Sequence, residues 1–200
     1  MHDYSIDQHP KQKIIFGLSF LAIVVAPWIN RLLSLLSDQI PFISSPVVSS
    51  IPVFGLFMGI FWLFDNKLWK HEFIRRFLLV PDLNGKWKVH GRTVSKEGEA
   101  VSIDWSGELS ITQSWSKMVM RLVTKTSTSE SKSASIVRKE GDGYHVTYHY
   151  ENRPNVDSAN LLFHIGTAEI KFDASCQNGS GFYYTSKERT TTGSMKLERI

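Results

Sequence analysis

Cysteine is nearly missing from this chain: Cys176 is alone among 200 residues. One thiol excludes an intrachain disulfide framework and suits a reducing compartment. Charge is missing from two long stretches, residues 14–29 and 46–64, which contain no Asp, Glu, Lys or Arg, although the average hydrophobic content of 42% hides this. A strong basic excess is also lacking. The net charge of +4 divides evenly about Pro81, with seven Lys/Arg against five Asp/Glu before it and sixteen against fourteen from it onward. Neither part is a polycation, so long nucleic acid is not an expected partner. No nucleophile elbow, phosphate-binding loop or zinc-protease signature occurs. His145 and His149 share a strand face, but four residues of strand separate them by about 13 Å, too far for one zinc. A non-enzymatic protein with no metal and no cofactor is expected.

What is present begins with the membrane. Residues 14–36 form a run of apolar or small residues interrupted only by Asn30 and Arg31, and residues 46–64 form a second. Each is long enough, at about 1.5 Å per residue, to cross a hydrocarbon core of about 30 Å. Lys11 and Lys13 precede the first run and Lys67, Lys70, Arg75 and Arg76 follow the second, while the connection carries only Arg31 against Asp38. That asymmetry predicts a two-pass inner-membrane protein with both termini cytoplasmic. Residues 65–80 place Leu68, Trp69, Phe73, Phe77 and Val80 at helical spacing among charges, which predicts a juxtamembrane helix at the headgroup boundary, ended by Pro81. Gly55 and Gly59 form a small-xxx-small pair in the second span, suited either to association between protomers or to packing within one hairpin.

From Gly85 the period changes to two, with turn signals about every ten residues. Eight strands are expected near 85–94, 101–113, 117–126, 131–140, 143–151, 161–172, 180–186 and 193–200. The expected fold is therefore two N-terminal transmembrane α-helices in a membrane hairpin, residues 1–80, followed by an all-β domain, residues 81–200, built as a small eight-stranded up-and-down antiparallel β-barrel. Alternation assigns Gly107, Leu109, Ile111, Gln113 and Trp115 to the interior, with Met118, Met120 and Leu122 or their neighbours, then Tyr144, Val146, Tyr148 and Tyr150, and finally Met195 and Leu197. A closed barrel of eight strands can fill itself with side chains or hold one small ligand.

One constellation of aromatic and basic residues stands out. Tyr148 and Tyr150 share the interior face, Arg153 follows at the strand end, Arg121 sits mid-strand, and Tyr184, Arg189 and Thr191 flank the last hairpin. Guanidinium pairs with phosphate and flat rings stack on bases, so these seven residues suit a compact ligand with two phosphates and two bases. Spacing alone favours tyrosines that pack the core and arginines that are rim charges.

The order of parts, the entry Pro81-Asp82-Leu83-Asn84-Gly85-Lys86-Trp87, the stretch Ile111-Thr112-Gln113-Ser114-Trp115, the Thr/Ser-rich residues 124–133 and the ending from Gly181 through Arg189 to Gly193 resemble one family. It is that of the two-transmembrane, β-strand-rich effectors associated with CD-NTase (SMODS) enzymes in bacterial CBASS antiphage defence. The resemblance covers essentially the whole chain. It implies that a partner CD-NTase makes a cyclic dinucleotide, the barrel binds it, and the protein self-associates and disrupts the lipid bilayer of the inner membrane, killing the infected cell. The rival expectation is a membrane-tethered lipocalin-like barrel that binds lipid or serves as an interaction module.

Overall fold

The computed structural model describes the chain except residues 8, 38–45, 96–101, 157–161 and 187–190. It divides into two compact units, one of Gln8–Ile74 and one that joins Met1–Asp7 to Arg75–Ile200. The expected boundary at Pro81 thus moves to Arg75, and the first seven residues belong with the β-rich domain.

The helical unit contains α1 (Lys11–Ser37) and α2 (Pro46–Asn66). Phe16, Phe20, Trp28, Leu35, Phe54 and Trp62 on these helices are 60–73% exposed, a surface that suits lipid rather than water. By length and composition, Lys11–Leu32 is the one candidate membrane span among the described residues. Ser19 returns its hydroxyl to the Ile15 carbonyl at 2.9 Å, which satisfies it within the helix. The expected helix over 65–80 is broken in two. A 3-10 turn at Leu68–Lys70 ends where His71 turns extended (φ −62°, ψ 130°), and α3 (Glu72–Leu78) follows. No Pro or Gly marks this break, so residue type did not announce it.

The described residues of the β-rich domain form nine strands: β1 (His2–Ile6), β2 (Gly85–Ser95), β3 (Ser102–Gln113), β4 (Lys117–Thr124), β5 (Ser127–Lys139), β6 (Gly143–Pro154), β7 (His164–Phe172), β8 (Asn178–Thr185) and β9 (Thr191–Arg199). Strands β2 to β9 each pair antiparallel with the next, and β2 pairs with β9 from Trp87↔Arg199 to Ser95↔Thr191, so the sheet closes on itself. These eight are the strands that alternation predicts. The ninth, β1, was not expected. It lies between β4 and β5, antiparallel to β4 (His2↔Met118) and parallel to β5 (Tyr4↔Ala134, Ile6↔Ile136).

One end of the barrel is packed solid. Trp87 and Phe172 meet edge to face at 4.8 Å, and Leu83, Trp87, Met118 and Phe172 are wholly buried. The Trp87 indole donates to the Leu83 carbonyl at 3.1 Å, and the Arg199 guanidinium lies over its ring at 5.5 Å. The same guanidinium donates to the carbonyls of Asp82, Asn84 and Cys176. Buried Gln113 accepts from the Leu83 N–H at 3.0 Å and donates to the Pro81 carbonyl at 3.1 Å and to the Tyr4 hydroxyl at 3.0 Å. Gln113 thereby joins β1 to the segment that enters β2. Strand β1 ends, and β2 begins, at this packed end.

Candidate functional site

The opposite end of the barrel is hollow. A cavity of about 460 Å³ is lined by the C-terminal halves of β2, β4, β6 and β8 and the N-terminal halves of β3, β5, β7 and β9. Its size falls within the range of small-molecule sites.

Four rings shape it: Trp105, Tyr148, Tyr150 and Tyr183. Three of them stand directly across from a glycine on the next strand, as Gly91↔Trp105, Tyr150↔Gly166 and Tyr183↔Gly193. In each case a Cβ built on the glycine would overlap the ring. The rings therefore lie against the barrel wall where side chains are missing, and the space they would otherwise fill stays open. Trp105 Nε1 donates to the Tyr183 hydroxyl at 3.1 Å, and the two rings meet at 6.0 Å and 66°. Thr93 shares a hydrogen bond with the same hydroxyl. Tyr148 and Tyr150, two residues apart on one face, hold their rings 6.0 Å apart.

The rest of the lining is nearly uncharged and mixes the apolar side chains of Ile103, Leu122, Ala168 and Met195 with polar ones. Asn152, buried on β6, donates both amide hydrogens, to Ser127 Oγ at 3.0 Å and Ser129 Oγ at 2.7 Å. Thr185 and Thr191 hydrogen-bond across the last hairpin. Asp104 is held bidentate by Arg92 at 2.7 and 3.2 Å, and that hydrogen bond lowers its pKa and raises that of Arg92. Lys125, in the β4–β5 turn, remains as a cation of the described lining. Burial pushes the Tyr148 phenol above its usual range, so its hydroxyl stays protonated and can donate. Such a surface offers flat faces for stacking and a ring of hydroxyl and amide groups for directional hydrogen bonds.

Three of the seven residues expected to bind behave differently from the others. Tyr148, Tyr150 and Thr191 line the cavity. Arg121, Arg153 and Tyr184 do not. Their neighbours Leu122, Asn152 and Tyr183 face inward, so the period of two turns these three outward. Arg121 is exposed opposite Glu130, Arg153 reaches Glu151 at 3.5 Å, and Tyr184 shares an outer groove with Phe182. Arg189 lies outside the described residues. Sequence reasoning missed Trp105, Tyr183, Asn152 and the cavity-lining His164. Trp105 is one step beyond Gly107 on the interior face of β3, and the strand glycines 91, 166 and 193 marked where rings approach backbone.

Residues 78–199 match the family model described as Cap15, cyclic dinucleotide receptor domain, and residues 12–70 match that described as Cap15, TM helices. Over 181 residues the chain is 38% identical to CD-NTase-associated protein 15 of Yersinia aleksiciae, an alignment that covers 90% of this chain and 83% of that protein.

Proposed function

This chain belongs to the Cap15 family, and from that premise we propose that the hollow end of the barrel holds the nucleotide and that its occupation drives assembly in the membrane. Membership makes the protein a CBASS antiphage effector with transmembrane helices and a cyclic dinucleotide receptor domain. The observation that carries the site assignment is the trio of rings seated on glycines around a cavity of about 460 Å³. In this reading the bases stack on Trp105, Tyr150 and Tyr183, each contributing on the order of 1–3 kcal/mol. Asn152, Thr93 and Thr191 read polar edges, and Lys125 meets a phosphate.

The topological reading is two-pass, in the inner membrane, with both termini cytoplasmic. It is supported by β1, because a chain that leaves the barrel at Asp7 and rejoins it at Arg75 must cross a bilayer an even number of times. The Lys/Arg asymmetry points the same way. Gly55 and Gly59 then suit association between helix pairs. A Cβ at Gly59 meets nothing within 4 Å, so packing inside one hairpin does not require glycine there. A lipocalin-like lipid reading fits less well, since an acyl chain would make no use of the amide and hydroxyl groups that Asn152, Thr93 and Thr191 bring to the lining.

The test uses full-length protein in liposomes. Adding cyclic di-UMP, cyclic di-GMP or cyclic di-AMP should raise the unfolding temperature with at least one nucleotide and release an entrapped dye with that same one. Stabilisation by lipids alone, with no response to any nucleotide, would overturn the reading.

A further inference from the structure

Strands β4 and β5 hold each other through only three residue pairs, Arg121↔Glu130, Leu122↔Ser129 and Val123↔Thr128. Beyond these the register of β5 slips between Ser131 and Ser133 and the two strands part. The Met120 N–H is met there by Ser131 Oγ at 2.9 Å rather than by a strand carbonyl, and His2 Nε2 meets the same hydroxyl at 2.7 Å. The gap is filled by β1. Tyr4 enters the core at 7% exposure and donates to the Ser114 carbonyl, Ile6 packs against the same core, and the Asp7 N–H reaches the Ile136 carbonyl at 3.0 Å. The β4–β5 slot is thus a receptor for one strand, with backbone groups on both sides and a socket for Tyr4.

Its occupant is held by contacts rather than by a short tether. Strands β2 to β9 follow one another through short connections, but β1 is joined to β2 only through the entire helical unit, residues 8–74. A long connection keeps the effective concentration of its own strand at the slot low, so a strand from a neighbouring copy can compete for it. The same five residues on a neighbouring copy would make the same contacts in the slot, so exchange costs little once copies are concentrated in a membrane. The slot also adjoins the cavity, because Leu122, Thr124, Ser127 and Ser129 line it, and a ligand there bears on the three pairs that hold the slot's upper edge.

We propose that the β4–β5 slot is the surface through which copies of this chain join: β1 of one copy leaves its own barrel and enters the slot of the next. The trigger rests on the receptor reading above; the exchange itself does not.

Ser5 and Ser135 are Cα partners across the slot. Two differently tagged full-length copies, one carrying Ser5→Cys and the other Ser135→Cys, are co-expressed, and their membranes are oxidised with and without cyclic di-UMP, cyclic di-GMP and cyclic di-AMP. Cys176 stays out of the chemistry, being buried with its thiol pushed up to about 11. A single chain with both substitutions must close an intrachain disulfide, which establishes the geometry. A copy with Ser180→Cys, exposed on β8, replaces the Ser135→Cys copy to measure random collision. Exchange predicts a disulfide between the two tags, at least about five-fold above the collision level, with whichever nucleotide raises the unfolding temperature of the same membranes. If that nucleotide binds and the mixed disulfide stays at the collision level, exchange is overturned while the receptor reading stands. If no nucleotide binds, the receptor reading falls, and the mixed disulfide in concentrated ligand-free membranes decides exchange, its presence supporting it and its loss to the collision level overturning it.

Discussion

Replacing Gly91 by Ala puts one methyl group where the Trp105 ring lies. The three atoms nearest to a Cβ at this position all belong to that indole, and none is backbone, so the ring is what must give. Aromatic and methyl carbons settle about 3.5–4.0 Å apart, and the ring therefore retreats by more than about 1 Å toward the cavity. Its hydrogen bond to the Tyr183 hydroxyl, 3.1 Å in the native arrangement, does not survive such a shift. Overpacking of this kind costs about 1–3 kcal/mol of stability, which leaves a folded barrel. The stacking platform is lost at the same time, at about 1–3 kcal/mol per base. At about 1.4 kcal/mol per decade, cyclic dinucleotide affinity should fall about 5- to 150-fold. Calorimetric titration of detergent-solubilised full-length protein reads this directly, with thermal unfolding as the check on folding. In a Trp105→Ala background the same methyl group meets no ring, so Gly91→Ala should add little to the loss already present. Native affinity in the single Gly91→Ala variant would refute the claim that the ring's seat on the wall keeps the site open.

Gln113→Leu should leave the Leu83 N–H and the Pro81 carbonyl unpaired in the packed end, costing about 2–4 kcal/mol and lowering the unfolding temperature by about 10 °C; an unchanged melt would contradict the network. Because burial raises the Cys176 thiol to about 11, the folded state favours its protonated form, and stability that is complete below the ordinary thiol value of about 8.5 should decline as pH rises toward 11. At about pH 8 the thiol should react with a disulfide reagent far more slowly in native than in denatured protein, and equal rates would contradict its burial. Reporter fusions ahead of Ile14 and after Ile200 should both read cytoplasmic and one near residue 40 periplasmic; a periplasmic barrel would overturn the membrane scheme.

The barrel was legible because half-buried antiparallel strands impose a period of two, and Leu109, Ile111, Met118, Met120, Val146, Met195 and Leu197 all carry it and are all buried. On β4 alternation left two phases open, and burial of Met118 and Met120 settles the one that turns Arg121 outward. On β8, Phe182, Tyr183 and Tyr184 follow in a row, so no alternation tells which faces inward; the pairing of Tyr183 with Gly193 decides it, and that pairing exists only in the folded sheet. Strand β1 was invisible for a different reason. Five residues ahead of an apolar helix carry too little pattern to read as a strand, and their partners lie more than a hundred residues away on β4 and β5.

The central claim is that a cyclic dinucleotide occupies the hollow end of the barrel, against the rings that glycines hold to the wall. Nuclear Overhauser contacts between a bound nucleotide and the full-length protein in detergent test it most directly. The account predicts contacts from the base protons to the rings of Trp105, Tyr150 and Tyr183. A nucleotide whose contacts run instead to outward-facing Phe182 and Tyr184, with those three rings unaffected, would contradict it.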